Sequence, residues 1–204
     1  MRESLVKPYN MSIANALVGP LAQTNHFLVT FSSLTPSVES YLASYSGLGD
    51  IKPFISRRAG ILCNDASLPT TAYATAEVRD NFMGVPQQFA HTRIYTDIDF
   101  SFYIDDDYNV IKTFEGWMEY ISSGANSLIE QDERAFYRRM MYPDSYKCNT
   151  MYINKFEKEY KRTLRYRFVN VFPKSMSSVP VSYGSADILK VTVSFNYDRY
   201  IVNG

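Results

Sequence analysis

The chain has 204 residues, and its 21 basic and 21 acidic side chains cancel at neutral pH. The length suits one domain with a sizeable core, and the zero net charge excludes a global attraction to nucleic acid or to an anionic membrane. The 17 Tyr and 13 Phe residues suit half-buried strands and extensive interfaces.

The N-terminal 24 residues are interpreted as an extension that precedes the domain at residues 25–204. Their apolar run from Ile13 to Leu21 contains Asn, Gly and Pro, so it is too short and too interrupted for a signal peptide or a membrane span. The first predicted strand follows in NHFLVTFSSL, where Phe27, Val29 and Phe31 share one face. Residues 35–56 lack a sustained period and are expected to form an excursion from the sheet.

Alternation of apolar and polar residues predicts that the rest of the domain is mostly β. The clearest strands are IYTDIDFSFYI (94–104), with Ile94, Ile98, Phe100, Phe102 and Ile104 on one face, and ILKVTVSFNYDRY (188–200), with Leu189, Val191, Val193, Phe195 and Tyr197 on one face. TLRYRFVNVF (163–172) places Tyr166, Phe168 and Phe172 together, and the shorter candidates are AGILCND, TAYATAEVRD, CNTMYINKF and VPVSY.

One amphipathic helix is predicted after the acidic turn and ends near Ser122-Ser123-Gly124. Its apolar stripe contains Val110, Ile111, Phe114, Trp117, Met118 and Ile121, and Trp117 is interpreted as a core residue. Residues 125–142 are a second excursion that could form a more polar helix.

The acidic run in FYIDDDYNVIKTFEGW has two readings. Counted from Asp105, a calcium loop would have oxygen ligands at its first, third and fifth positions, but it would have Val110 where the turn needs glycine and Gly116 where a glutamate must close the shell. The favoured interpretation is a helix cap. In it, the side chain of Asp107 or Asn109 accepts a hydrogen bond from a free backbone N–H, and the carboxylates complement the positive end of the helix.

A basic tract, KFEKEYKRTLRYR, spans residues 155–167. Its cations, interleaved with Phe156, Tyr160 and Tyr166, would suit stacking on nucleic acid, but a turn between two solvated strand ends would have the same composition. The cations are Lys155, Lys158, Lys161, Arg162, Arg165 and Arg167.

No pattern of catalytic residues is present, so the chain is not expected to be an enzyme and no cofactor is expected. His26 and His91 lie outside any metalloprotease or nucleophile-elbow motif, and no glycine-rich loop could cradle a phosphate. Asp97 and Asp99 share the polar side of their strand and are expected to be solvated. Cys63 and Cys148 are too few for a disulfide framework and lack zinc-site spacing, which favours a reduced context.

The segment RDNFMGVPQQFAHT (79–92) combines apolar side chains with the turn residues Gly84 and Pro86 between two strand candidates. A hairpin tip has little core of its own, so these side chains are expected to contact a partner surface; a flap folded back over its own sandwich is the alternative. The apolar residues are Phe82, Met83, Val85 and Phe89.

The order of these features resembles the tail tube proteins of contractile-tailed, T-even-like bacteriophages. The resemblance spans roughly residues 25–201, and its most specific parts are GILCNDASLP, the FEGW helix and VFPKSMSSVPVSYG followed by the long strand. It implies a small antiparallel β-sandwich or barrel with one flanking α-helix, related to the tubes of type VI secretion systems. The N-terminal extension and the two excursions depart from a minimal tube subunit.

The resemblance also implies a function without catalysis. Subunits would join edge to edge into hexameric rings that stack into a hollow tube in the virion tail, assembled in the host cytoplasm. Expected partners are other copies of the chain, the tail sheath, the baseplate and the tail terminator, with DNA in transit and no membrane. Subunit-interface candidates are Phe82, Met83, Val85, Phe89, Asp105, Asp106, Lys158, Lys161 and Arg162. The alternatives are a baseplate tube-initiator ring of the same fold and a metal-binding or enzymatic virion module.

Overall fold

The computed structural model describes residues 24–32, 34–46, 51–79, 84–122, 139–157, 160–161, 163–181, 183–184 and 187–203. The fold is mainly β, as the alternation predicts. The strands are β1 (Phe27–Phe31), β2 (Cys63–Ala66), β3 (Thr71–Val78), β4 (Gln87–Tyr95), β5 (Ile98–Tyr103), β6 (Cys148–Phe156), β7 (Thr163–Met176), β8 (Lys190–Asn196) and β9 (Arg199–Asn203). The helices are α1 (Pro36–Ser46), α2 (Ala59–Leu62), α3 (Asn109–Ile121) and α4 (Pro143–Tyr146), and a π-helical turn (Phe54–Arg58) leads into α2.

Two antiparallel sheets enclose the core and share the long strand β7. The first sheet has the order β1-β6-β7-β9, and the second has the order β7-β8-β5-β2. The N-terminal half of β7 pairs with β6 and β9, whereas its C-terminal residues pair with β8. The described strands form a sandwich in this way and do not close into a barrel.

Asn170 lies where β7 passes from one sheet to the other. Its backbone has a φ of 59°, a left-handed conformation that asparagine tolerates better than most residues. The irregularity reverses the alternation of side chains, so that Val171 and Pro173 are buried and Phe172 is not. The prediction that Phe172 shares a face with Tyr166 and Phe168 is therefore wrong.

Two long predicted strands are each divided in the structure. The 188–200 segment is interrupted at Tyr197 and Asp198, between β8 and β9, although Val191, Val193, Phe195 and Tyr197 are all buried as predicted. The 94–104 segment is divided between β4 and β5. Ile94 consequently belongs to a different element from the buried Ile98 and is 44% exposed.

Helix α3 covers the core as predicted. Phe114 reaches aromatic partners from three strands, with ring centroids 6.3 Å from Phe31, 5.0 Å from Phe102 and 5.6 Å from Phe195. Trp117 is only 1% exposed, and its indole N–H donates a 2.8 Å hydrogen bond to the carbonyl oxygen of Tyr146 in α4. The interpretation of Trp117 as core is confirmed.

Helix α1 is the main element that the sequence does not predict. It occupies residues 36–46 of the first expected excursion and buries Val38 and Leu42 completely. The contact with α3 includes Tyr41 and Tyr120, whose ring centroids are 5.3 Å apart. A second helix therefore flanks the sandwich beside α3, whereas the sequence predicts one.

The remaining differences concern short segments. AGILCND is a strand only from Cys63, because α2 precedes it. Gly60 in α2 packs so closely on β1 that a Cβ atom would clash with the carbonyl oxygen of Val29. VPVSY is not a strand over its described residues, 179–181 and 183. The helix considered at 125–142 lies mostly outside the described residues, and 139–142 are not helical.

Candidate functional site

Strands β3 and β4 form a separate antiparallel ribbon, and nearly all of its side chains are exposed. The pairing runs from Thr71–Tyr95 to Val78–Gln87 and contains one bulge, because Ala74 pairs with Thr92 and Thr75 with Ala90. His91 is the extra residue, and its Nδ1 lies 2.7 Å from the hydroxyl of Thr92. The ribbon thus extends from the sandwich with little packing of its own.

The register divides the ribbon into two faces of different chemistry. One face, called here the ribbon's apolar face, carries Ala72, Ala74, Ala76 and Val78 from β3 with Phe89 and Ile94 from β4, together with the polar residues Gln87 and Thr92. The opposite face carries Thr71, Tyr73, Thr75 and Glu77 from β3 with Gln88, Ala90, Arg93 and Tyr95 from β4. Val78 is 57% exposed and Phe89 53% exposed. A face of this kind, left in water, is typical of an interaction surface.

The base of the ribbon is attached to β9 by a cluster around Arg93. The guanidinium carbon lies 5.2 Å from the ring centroid of Tyr95 and 5.0 Å from that of Tyr200, within the range of cation–π attraction. Arg93 also donates a 3.2 Å hydrogen bond to the Thr71 hydroxyl, which is hydrogen-bonded to the Tyr200 hydroxyl. These contacts join both strands of the ribbon to the sandwich.

The predicted residues of the hairpin are only partly described. Val85 and Phe89 are both exposed, and Phe89 lies on the ribbon's apolar face. Phe82 and Met83 lie outside the described residues. Their role in a subunit interface therefore stays a prediction.

The acidic run caps α3, but through a different residue from those predicted. Tyr108 occupies the N-cap position with a φ of 58°, and it makes no side-chain capping bond. The Asp105 carboxylate instead accepts hydrogen bonds from the Asn109 side chain, at 2.7 Å, and from the Val110 backbone N–H, at 3.4 Å. The assignment of the cap to Asp107 or Asn109 is therefore wrong. Asp105 can reach the helix end because the left-handed residue Tyr108 turns the chain back.

A surface cavity of about 380 Å³ lies beside this run. Its lining residues are Asp105, Asp106 and Asp107 with Arg58, Ile61 and Leu62. Among the described residues, no group of three or more His, Cys, Asp and Glu side chains has the arrangement of a metal site. The cavity is therefore an acidic depression with an apolar wall.

The basic tract covers the end of β6, the turn after it and the start of β7. Lys155 is tied to the chain before β1, where its Nζ donates to the carbonyl oxygens of Asn25 and His26. Lys161 lies in the turn between β6 and β7, and Lys158 and Arg162 lie outside the described residues. The turn belongs to the first sheet, whereas Asp105 and Asp106 follow β5 of the second.

The outer face of the second sheet is polar, and many of its side chains are bonded to one another. Asp99 accepts a hydrogen bond from Ser194, and the hydroxyls of Ser101 and Thr192 lie 2.9 Å apart. Asp97, just before β5, accepts from Lys174 at 2.5 Å and from Asn196 at 2.8 Å. The hydrogen bond from Lys174 is the main reason that the pKa of Asp97 lies below its ordinary value.

The two cysteines are placed as inert core residues. Both are buried and free, and burial raises the pKa of the Cys63 thiol to about 12. Burial likewise raises the pKa of Cys148. Neither thiol is ionised near neutral pH, so neither has the character of a nucleophile.

Among the described helices, none has the length and apolar character that crossing a membrane requires.

Solved structures with a similar fold come from contractile injection systems. A chain of an extracellular contractile injection system, in its sheath–tube complex in the extended state, is 16% identical with a TM-score of 0.53, over 97% of this chain and 99% of that chain. A chain of the anti-feeding prophage tube-terminating cap is 14% identical with a TM-score of 0.57, over 91% and 92%. A chain of the anti-feeding prophage baseplate is 10% identical with a TM-score of 0.57, over 91% and 97%. At these identities the likeness concerns the fold alone.

Sequence comparison identifies the family. No curated protein sequence matches the chain significantly. The family described as phage tail tube protein matches residues 22–203, which are nearly the whole of the chain. That family consists of structural tube components rather than enzymes. The chain belongs to the phage tail tube protein family.

Proposed function

We propose that copies of this chain join edge to edge into hexameric rings, and that the rings stack into the hollow tube of a phage tail through which DNA is delivered. The observation that carries this proposal is the ribbon's apolar face. Burying each of its large residues, such as Val78, Phe89 and Ile94, would contribute roughly 1.5–3 kcal/mol. A second copy of the chain is the proposed partner for that face and for the tip residues Phe82, Met83 and Val85.

Open sheet edges support lateral joining. The first sheet ends at β9 and at β1, where Gly60 of α2 already covers the Val29 carbonyl, and the second ends at the short strand β2. Unpaired backbone groups at such edges favour pairing with another chain, and a closed ring would satisfy them in every copy. The rings assemble in the host cytoplasm and become part of the virion tail.

Charged groups are proposed to set the register between copies. The acidic residues Asp105 and Asp106 would face the basic turn of a neighbouring copy, which contains Lys158, Lys161 and Arg162. Exposed charge pairs contribute little affinity but disfavour wrong alignments. This arrangement would help rings to stack in one orientation.

The bore is proposed to be lined by the outer face of the second sheet. A conduit should not bind phosphates strongly, because each neutralised phosphate adds salt-dependent affinity that would slow DNA. Asp99 repels phosphates, Asp97 neutralises Lys174, and many of the polar side chains around them are already hydrogen-bonded to one another. DNA would therefore pass without specific binding.

The proposed protein partners are a sheath, a baseplate and a terminator. Chains of similar fold occur in a sheath–tube complex, a baseplate and a tube-terminating cap. The excursion at 35–56 contributes α1 to the core, whereas the N-terminal extension at 1–24 and the excursion at 125–142 are proposed as additions to the common tube domain at 25–204. They are the segments most suited to contacts that differ between kinds of ring.

Negative-stain microscopy of the purified chain tests the proposal. Long hollow tubes with sixfold end views are the expected result for a repeating tube subunit. Isolated rings would favour the alternative, a baseplate initiator ring of the same fold. A chain that stays monomeric at all concentrations and salt conditions would contradict both.

A further inference from the structure

The outer face of the first sheet has an unusual composition. It contains Arg165 and Arg167 from β7, Arg199 from β9 and Tyr152 from β6, with Ile201 and Asn154 between them. These six residues are called here the arginine face. The strand residues on this side of the first sheet include no lysine and no carboxylate. Arginine and tyrosine without lysine or glutamate are typical of protein interfaces, whereas an ordinary solvated surface is rich in both.

Arg165 is held in place by neighbouring groups, and none of the three arginines forms an ion pair within the described part of the chain. Arg165 donates a 2.7 Å hydrogen bond to the Asn154 side chain, and its guanidinium lies 5.4 Å from the centroid of the Tyr152 ring. The register places Arg167 between Tyr152 and Ile201. Arg199 lies near Asp198, but that carboxylate is hydrogen-bonded to Asn170 and Lys147.

The two outer faces therefore differ in charge. The outer face of the second sheet carries Asp65, Asp97 and Asp99 together with Lys174 and Lys190, so its charges nearly balance, whereas the first carries three exposed arginines and no carboxylate on its strands. In a ring, the arginine face would present a band of guanidinium groups from every copy. Such a band in the bore would bind the phosphates of DNA.

We infer that the arginine face points away from the bore and binds an acidic surface of a protein that surrounds the tube. The inference rests on the proposed tube. Guanidinium groups suit this role because they form bidentate, weakly hydrated pairs with carboxylates. Tyr152 and Ile201 add apolar area to the same surface.

Thiol labelling of assembled tubes tests the orientation. Asn203, on the side of the arginine face, and Asp65, on the outer face of the second sheet, are both exposed. Asn203→Cys and Asp65→Cys tubes would be treated with a biotin maleimide and then with streptavidin, which is visible by microscopy. The native cysteines are buried, so their background is low. Asn203→Cys tubes should be decorated along their length, and Asp65→Cys tubes should stay bare.

A second measurement tests the chemistry of the face and does not require assembly. The unmodified chain should be retained on immobilised polyglutamate and released by salt, and Arg167→Glu with Arg199→Glu should abolish the retention. Arg57→Glu with Lys112→Glu is the matched control, because both residues are exposed elsewhere and the charge change is identical. The control variant has the same total charge as the arginine variant, and it should be retained as strongly as the unmodified chain.

The outcomes separate this inference from the proposed function. Decoration along the Asp65→Cys tubes but not the Asn203→Cys tubes would overturn the inference, because the arginines would then face the bore. Equal loss of retention on polyglutamate in both charge variants would also overturn the inference. So would tighter binding of duplex DNA than of polyglutamate, if that binding depends on the same arginines. Failure of the unmodified chain to form tubes would contradict the proposed function, while the polyglutamate measurement would still decide whether the face binds an acidic surface.

Discussion

Trp117 illustrates how much one residue contributes to this fold. Its indole is buried among the core residues, and its N–H is bonded to the Tyr146 carbonyl. Trp117→Ala removes both the packing and the hydrogen bond, so it should lower the free energy of unfolding by about 3–5 kcal/mol and yield insoluble protein. Urea denaturation of the soluble fraction measures the effect.

Trp117→Phe is the informative comparison. It keeps most of the apolar volume but leaves the Tyr146 carbonyl without its donor, so the loss should be smaller, about 1–3 kcal/mol. A soluble Trp117→Ala chain with normal stability and assembly would show that α3 does not depend on this contact.

The Asp105 carboxylate is expected to stabilise the start of α3. Asp105→Ala removes its bonds to Asn109 and Val110 and should lower the free energy of unfolding by about 0.5–2 kcal/mol. Asp107→Ala is the control, because Asp107 is exposed in the same turn, and it should have little effect. Thermal unfolding with and without calcium measures both. Micromolar calcium binding that Asp107→Ala abolishes would instead restore the metal interpretation.

At the level of elements, the β3–β4 ribbon is expected to act in assembly and not in folding. Val78→Ser with Phe89→Ser alters only exposed residues of the ribbon's apolar face. The variant should keep the parent's circular dichroism and thermal transition but form no tubes or rings in sedimentation and microscopy. Glu77→Ser with Gln88→Ser changes the paired positions on the opposite face and should assemble.

The tip of the hairpin is expected to behave in the same way. Phe82→Ser with Met83→Ser should leave the monomer folded and block assembly. Unfolding of this variant would assign the tip to the subunit's own core, and normal assembly would show that the tip is not an interface.

The cluster at the base of the ribbon is expected to determine its direction. Arg93→Ala removes the contacts with Tyr95, Tyr200 and Thr71. Hydrogen exchange should rise at the amides of β3 and β4 nearest to the base, and the concentration needed for assembly should increase. Arg79→Ala, which changes an exposed arginine beyond the paired end of β3, is the control. Equal exchange in both variants would show that Arg93 does not hold the ribbon.

For the whole molecule, two ion pairs link the strands around the crossing of the sheets. Asp97 accepts hydrogen bonds from Lys174 of β7 and Asn196 of β8. Asp198 accepts hydrogen bonds from Asn170 and Lys147. The hydrogen bond from Lys174 to Asp97, and those from Asn170 and then Lys147 to Asp198, lower the pKa values of these two carboxyls. Both aspartates are partly exposed, so each contribution is modest.

These lowered pKa values predict how stability depends on pH. An aspartate whose pKa is lower in the folded state stabilises the fold above its unfolded value of about 3.9. This contribution is lost as the pH falls through the folded pKa. Asp97→Asn with Asp198→Asn should therefore reduce stability at pH 7 and flatten its decline below about pH 4. Urea denaturation across this range measures the slope.

Local patterns were sufficient to predict most of the elements and their buried faces. Alternation identified the inward sides of β1, β5 and β8, since each of these strands packs one face on the core and leaves the other in water. The period of α3 and the burial of Trp117 followed in the same way from one apolar stripe. The order of the motifs was also sufficient to indicate the family.

The features that the sequence alone did not reveal depend on contacts between distant residues. Helix α1 has a weak local period and is stabilised by its packing on α3, and Asn170 reverses β7 because the strand must serve two sheets. The separation of the β3–β4 ribbon from β5 exposes Ile94 and creates the ribbon's apolar face. The arginine face forms only when β9 pairs with β7 and brings Arg199 beside residues thirty or more positions earlier. Sequence thus determined the family and the inward faces, whereas strand pairing decided which surfaces remain for partners, because pairing brings together residues that no local pattern connects.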